Sequence, residues 1–366
     1  MKITKIKIYS ARIALTDPVR TALGMEEVCR NLFVKIKTDS GLYGVGEIAH
    51  FDAVTGETPD ICSAAAKACA RLLLGKDPLD IRGNMAGLQR HLAHNTAVKA
   101  GFDMAMYDIC GKAAGLPVYT LLGGSKRTLT TDRTVGIDIP EKMAQKAKDL
   151  VDKGFHKIKV KLGTTIAADL SRIRIIRERV GEEITLLADA NQGWDFPTAA
   201  AFLKQVRPYH LAYCEQPLAS RDFEHMKKLR QKSTIPIAAD ESVFNAQEAF
   251  RLAAGGICDI LNIKLSKSGG IFAGEQICDV AESLGLPCMI GCMEETRLCL
   301  TAAAHLASAR TNIQHIDLDG HFGLEADPVT GGIRYDQDRI ILPDTPGLGA
   351  DLDEAFLAQC DSVCIC

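Results

Sequence analysis

Two lysines one residue apart, Lys159 and Lys161, lie in the run Ile158-Lys159-Val160-Lys161-Leu162-Gly163. If the run is a strand, alternate side chains share a face, so both lysines project together and Ile158, Val160 and Leu162 take the other side. Lys157 would share the lysine face one step deeper. Downstream, four charged residues each close a short apolar run: Asp189 in Leu-Leu-Ala-Asp-Ala-Asn, Glu215 in Ala-Tyr-Cys-Glu-Gln-Pro, Asp240 in Ile-Ala-Ala-Asp-Glu-Ser and Lys264 in Leu-Asn-Ile-Lys-Leu. Successive ends are roughly 25 residues apart, the length of one strand and one helix in a β/α barrel, where the C-terminal strand ends converge on one mouth. Asp189, Glu215 and Asp240 would meet there and repel one another unless a cation lay between them, and oxygen-only ligands suit Mg²⁺ rather than zinc. Any one of the three reads equally well as a helix cap; three consecutive strand ends do not. Lys161 and Lys264 flank the cluster from opposite sides. An amine near a divalent cation and a second lysine has its charged form disfavoured, which predicts a pKa lowered towards that of a general base. Lys159 adds to that effect and is expected to hold a substrate oxygen.

The elements that must position these groups can be read from the texture of the chain. From about residue 128, strand and helix alternate, with strands expected near 130–137, 157–162, 184–189, 211–215, 236–240, 259–264, 287–292 and 313–317. Amphipathic helices lie between them, for example over 168–180 and 273–284. The first third differs: β-rich stretches at 3–14, 28–38 and 42–49 precede helical ones at about 58–74, 78–92 and 96–115, and Thr38-Asp39-Ser40-Gly41 reads as a hairpin turn. The fold class expected is α/β, a TIM-type (β/α) barrel, modified to seven or eight β/α units, with an N-terminal α+β capping domain. The domains expected are 1–125 for the cap, 126–320 for the catalytic barrel, and 321–366 for a segment that carries a hairpin over 332–342 and returns to the cap. Gly44-Val45-Gly46-Glu47 resembles a loose dinucleotide fingerprint but continues a hairpin strand instead of opening a helix, so that reading is rejected.

Composition narrows the function classes. With 366 residues, 47% hydrophobic and 24% charged, the chain can bury a large core, and a net charge of −3 argues against nucleic acid as a partner. No segment approaches a membrane span, and the alternating N-terminus lacks the apolar core of a signal peptide. The 13 cysteines are odd in number and form no Cys-x-x-Cys pair, which points to reduced thiols and a cytoplasmic setting. Cys360, Cys364 and Cys366 read as incidental cysteines of a frayed tail rather than a metal site.

Together, Lys-x-Lys, Asp-Ala-Asn-Gln, Glu-Gln-Pro, Ala-Asp-Glu-Ser and Asn-Ile-Lys-Leu resemble, in order and over essentially the whole chain, the muconate-lactonizing branch of the enolase superfamily. In that superfamily a Lys or His base works with Mg²⁺ against an ene-diolate. The resemblance implies one Mg²⁺ per subunit on Asp189, Glu215 and Asp240, and abstraction of a proton α to a carboxylate. His315-Ile316-Asp317-Leu318-Asp319-Gly320 is similar to the Asp-x-Asp pair of dipeptide epimerases, whose carboxylates hold the free α-ammonium of a dipeptide; Val54-Thr55-Gly56-Glu57-Thr58 is also similar to that group. Thr134, Cys292 and Glu294 match substrate contacts of the family by position. The implied reaction is a two-base epimerisation by Lys161 and Lys264, L-Xaa-L-Yaa to L-Xaa-D-Yaa, on a dipeptide as partner, by a homo-oligomer. Members acting on Ala-Glu tend to place an arginine in the capping loop where this chain has Gly24. Glu294 stands where an apolar residue usually follows Met, which predicts a preference for basic or neutral side chains. Three alternatives are an N-acylamino-acid racemase or o-succinylbenzoate synthase of the same superfamily, an L-Ala-D/L-Glu epimerase, and a Schiff-base aldolase using Lys264. A non-catalytic protein that kept the fold would bind no Mg²⁺.

Overall fold

In the computed structural model, which describes residues 1–366, the β-rich start forms an antiparallel sheet of β1 (Ile3–Ser10), β2 (Leu32–Thr38) and β3 (Tyr43–Ile48). Three helices pack on it: α1 (Pro59–Leu73), α2 (Ile81–His91) and α3 (Thr96–Ala114). α1 starts at Thr58, whose side chain accepts from the Ile61 N–H, with Pro59 at the first turn, where its missing N–H costs nothing. α3 is buried along most of its length and lies against β3 backbone to backbone. A Cβ at Gly44 or Gly46 would fall 2.0 Å from Ala105 O or 1.9 Å from Gly101 O, so the Gly-x-Gly pair exists for helix–strand packing.

The barrel sheet has eight strands in sequence order, every adjacent pair parallel. They are β4 (Arg133–Val135), β5 (Lys157–Lys161), β6 (Thr185–Asp189), β7 (Leu211–Glu215), β8 (Ile237–Ala239), β9 (Ile260–Ile263), β10 (Cys288–Ile290) and β11 (Ile313–Ile316). Each lies inside the range expected for it. The seam between β11 and β4 is bridged by single bonds, Asp132 N–H to Ile316 O at 3.2 Å and Leu318 N–H to Thr131 Oγ1 at 2.9 Å. Period two divides each strand. Ile158 and Val160 face the outer helices in the main core, while Leu187, Tyr213, Ala238, Ile260 and Met289 form a small apolar layer inside the barrel. That layer is the floor above which Asp189, Glu215 and Asp240 stand, each two positions further along its strand than Leu187, Tyr213 and Ala238.

Cap and barrel are joined by buried carboxylates at helix starts. Asp103 of α3 accepts the N–H groups of Ile271 and Phe272 at the start of α4 (Ile271–Ser283). Glu47 of β3 does the same at the start of α5 (Arg297–Ala309). These N–H groups have no partner within their own helix, so each carboxylate satisfies orphan donors and meets the positive end of the helix dipole.

After residue 320 the chain divides its contacts. The hairpin Arg334–Asp336/Arg339–Ile341 pairs with Leu129–Thr130 beneath the barrel, and the strand Asp361–Ile365 adds to the cap sheet beside β1. The expected frayed tail is therefore corrected: it is an ordered edge strand, held because Ile365 pairs with Ile6 and Val363 with Ile8. Cys364 and Cys366 place their sulfurs 3.4 Å apart, whereas Cys360 bonds to Phe356 O. No helix is long and apolar enough to cross a membrane.

Candidate active site

Lys157, Lys159 and Lys161 occupy the inner face of β5 in rising order. Lys157 Nζ bonds Thr130 Oγ1 at 3.1 Å near the floor. Lys159 is 1% exposed, with its Nζ 2.7 Å from Asp317 Oδ2, 2.8 Å from Glu215 Oε2 and 3.2 Å from Asp189 Oδ2. Lys161, at the strand end, reaches Asp189 Oδ2 at 2.7 Å. On the other side of the mouth Lys264, just past β9, lies 2.9 Å from Asp240 Oδ2. Ladder register sets Lys161 beside Asp189 and Asp189 beside Glu215, so the three carboxylates come together between the two lysines.

Two features of the lysines follow from these contacts. Lys159 borders the cavity, and its ammonium lies among three carboxylates whose charge it offsets. Lys264 and Lys159 are both raised by the protein's own groups. Burial disfavours charged Lys264, yet Asp240, with Glu215 and Glu241, outweighs it and holds the pKa above the ordinary lysine value. Lys159 is raised in the same way, burial being overcome by Asp317, Glu215 and Asp189. Carboxylates dominate the local field, and only neutralising them would free the amines to act as bases. Burial, with Asp189 alongside, pushes Glu215 up to about 7. Asp189 itself is lowered, burial being overcome by Lys161 and Lys159.

The oxygen set fits a hard cation. Glu215 Oε2 has no aligned hydrogen-bond donor although Lys159 Nζ is near, and Asn191 Oδ1 and Glu241 Oε2 at the same mouth are also without partners. Buried carboxylate and amide oxygens that lack donors are what Mg²⁺ takes as ligands.

A second acidic pole faces this one. Past β11, Asp317 and Asp319 share a side, and their oxygens lie with Cys292 Sγ within 4.8 Å of one another. Asp319 accepts the Thr134 N–H at 2.7 Å and lies 3.4 Å from Arg133 Nη1. Lys159 holds Asp317 down to about 2 against the opposing effect of burial. Asp319 is raised by burial and by its neighbour Asp317. Thr134, Cys292 and Glu294 line the same cavity, and from the cap Asp17, Thr21, Gly24 and Glu26 close over it. Arg20 is exposed and is not part of that lining.

Two family models account for most of the chain. The enolase C-terminal domain-like model matches residues 142–356, and the mandelate racemase / muconate lactonizing enzyme N-terminal domain model matches residues 3–123. The chain belongs to the mandelate racemase and muconate lactonizing enzyme family. Among relatives within it, a D-Ala-D/L-Ala epimerase of Cytophaga hutchinsonii is 40% identical with both chains covered in full. A hydrophobic dipeptide epimerase of Enterococcus faecalis is 41% identical over 95% of this chain and 99% of its own. An L-Ala-D/L-Glu epimerase of Clostridium acetobutylicum is 38% identical over 96% and 99%. The crystal structure of the Cytophaga hutchinsonii dipeptide epimerase, complexed with Mg and D-Ala-L-Val, superposes with a TM-score of 0.99 over all of both chains. Three substrate preferences on one scaffold mean that family membership fixes the chemistry more tightly than the side chains accepted.

The family's charged motifs were legible, but the residues that hold them in place were not. Asn262 donates to Glu215 Oε1 at 2.6 Å from two residues before Lys264. Lys267 is fully buried and donates to Asp240 Oδ1 at 2.7 Å, to the Asp240 carbonyl and to Asn262 O. Asn191 Nδ2 reaches Glu241 Oε1 at 3.2 Å. A polar residue two positions below a charged strand end was the available signal for Asn262. Nothing in the sequence distinguishes Lys267 from a solvated lysine of the turn after β9.

Proposed function

We propose that this chain is a Mg²⁺-dependent dipeptide epimerase that inverts the α-carbon of the C-terminal residue by 1,1-proton transfer, L-Xaa-L-Yaa to L-Xaa-D-Yaa. The observation that carries the reading is the placement of two acidic poles in one cavity: a carboxylate trio between two lysines, and a carboxylate pair opposite. Asp189, Glu215 and Asp240 would hold Mg²⁺, which would supply Lewis-acid stabilisation of the substrate carboxylate. Lys161 and Lys264 face each other across the trio, so one removes the α-proton and the other delivers a proton to the opposite face. Lys159 offsets the charge of Glu215 and Asp317, and Asn262 and Lys267 fix the trio's geometry. Asp317 and Asp319 receive the dipeptide's α-ammonium, with Cys292 and Thr134 on its flank.

Glu294 and Glu26 give the side-chain end of the cavity negative charge, and Gly24 offers no cation there, so we infer that basic or neutral side chains are favoured over Ala-Glu. An N-acylamino-acid racemase would place an uncharged amide against Asp317 and Asp319, whose charge is met within the protein only by Arg133 and by a Lys159 shared with Asp189 and Glu215, which disfavours that alternative. All thirteen cysteines are free, which supports a reducing, cytoplasmic setting, and a homo-oligomer is the assembly we expect. The test is a dipeptide library in D₂O with Mg²⁺: gain of one deuterium together with a new diastereomer is expected for free dipeptides. Exchange confined to N-acylated amino acids would overturn the assignment.

A further inference from the structure

The Gly-x-Gly-Glu motif of β3 is not used by the chemistry above, yet its glutamate is one of the most heavily bonded side chains in the protein. With Gly44 and Gly46 pressed on α3, alternation turns Val45 and Glu47 towards the barrel. Glu47 is fully buried, and its two oxygens accept four donors: Asn31 Nδ2 at 2.7 Å and Thr296 N–H at 3.0 Å on one, Thr296 Oγ1 at 2.6 Å and Cys299 N–H at 3.1 Å on the other. Asn31 is itself 2% exposed and uses the same Nδ2 to reach the Glu294 carbonyl at 2.9 Å. Cys29 Sγ donates to that carbonyl as well. The loop from Cys292 to Thr296 is thereby tied by its backbone to the cap, while Glu295 ties it to the barrel through Ser266 Oγ at 2.9 Å, two residues after Lys264.

We propose that Glu47 and Asn31 are positioning residues that fix the loop after β10 to the cap, so that the depth and charge of the side-chain end of the substrate cavity depend on how the cap is seated. The cap contributes twice to that end: directly through Gly24 and Glu26, and indirectly by holding the backbone from which Cys292 and Glu294 project. Neither Glu47 nor Asn31 borders the cavity, so the effect passes through the loop alone. The idea rests on the dipeptide epimerase reading for its kinetic readout but not for its structural one.

The variants are Asn31→Ala, which cuts the bridge to Glu294 while leaving Glu47 on α5, and Glu47→Gln, which keeps the size but turns an NH₂ group towards N–H and O–H donors. Amide hydrogen exchange on the ligand-free protein should speed up over residues 292–299 and stay unchanged over 185–192. With a dipeptide substrate, Asn31→Ala should raise KM about tenfold, the scale of one buried hydrogen bond, and shrink the discrimination between side chains. kcat at saturation and the Mg²⁺ dissociation constant should stay at wild-type values. Glu47→Gln should move the same readouts further in the same direction. Unchanged exchange at 292–299 in Asn31→Ala, or an equal fall in kcat, kcat/KM and Mg²⁺ affinity, would overturn the proposal. If the wild-type protein turned over no dipeptide, the exchange arm would still decide it.

Discussion

Replacing Asp319 with Asn isolates the ammonium site, because the amide oxygen can still accept the Thr134 N–H that Asp319 Oδ2 takes at 2.7 Å. What is lost is charge. A unit pair at about 4 Å interacts by roughly 4 kcal/mol at an effective dielectric near 20, and a charge-assisted hydrogen bond nets about 1.5–3 kcal/mol. Arg133, 3.4 Å away, already takes part of that field, so the lower part of the range applies. A loss of about 2 kcal/mol is roughly 30-fold in affinity. The ammonium keeps its charge through the reaction, so the interaction is the same in ground and transition states; KM should rise about 30-fold while kcat holds. Asp317→Asn should behave differently. Asp317 Oδ2 is 2.7 Å from Lys159, and losing it leaves that ammonium to Asp189 and Glu215 alone, so kcat and Mg²⁺ affinity should fall together with KM. Steady-state polarimetry on a free dipeptide and its N-acetylated form separates the cases. An unchanged KM in Asp319→Asn, or wild-type turnover of the acetylated dipeptide equal to that of the free one, would refute an ammonium site at Asp319.

Three further outcomes are expected. Burial, then Asp319 and Glu26, pushes Glu294 up to about 7, so it gains charge as pH rises through neutrality; the ratio of kcat/KM for a Lys- or Arg-containing dipeptide over Ala-Ala should climb between pH 6 and 8 and be flat in Glu294→Leu. A flat wild-type ratio would exclude Glu294 from selectivity. Asn262→Ala should weaken Mg²⁺ binding by about 10–100-fold in calorimetry, the usual range for a partner that orients a ligand, and unchanged affinity would remove Asn262 from the metal site. His305 is buried with Nδ1 accepting the Tyr119 N–H and Nε2 bonded to Leu348 O, and burial lowers its pKa to about 4. Between that value and the unfolded one near 6.5 the unfolded chain binds the extra proton, so stability falls as pH drops through this window, by roughly 3 kcal/mol in all. Denaturant melts of His305→Gln should lose that share of the slope, and an identical slope in both proteins would contradict it.

The barrel was legible because its strand ends carry charge at a fixed interval, and because apolar runs of four to six residues alternate with helical periodicity. Lys161, Asp189, Glu215, Asp240 and Lys264 lie at or one residue past the strand ends, where a barrel must place its chemistry. The tail was misread because an edge strand of mixed polarity, Asp361–Ile365, has no signal of its own; its order comes from pairing with β1 more than 350 residues earlier in the chain. The electrostatic balance at the lysines was not legible for a related reason. Spacing shows which charges meet, but their balance depends on Asp132, Asp317 and Glu241, whose approach to Lys159 and Lys264 is set only by closure of the barrel. Lys267 and Glu47 escaped because each acts on an element distant in sequence, through a bond that no local pattern encodes.

The central claim is that two lysines serve opposite faces of one α-carbon, and stereospecific exchange in D₂O tests it most directly. Lys161→Ala and Lys264→Ala, each with Mg²⁺, would be given the L,L and L,D forms of one dipeptide and followed by ¹H NMR. Each variant should fail to interconvert the diastereomers, yet exchange the α-proton of one form only, and the two variants should act on opposite forms. Epimerisation at the wild-type rate by either variant, or exchange of the same form by both, would contradict the account.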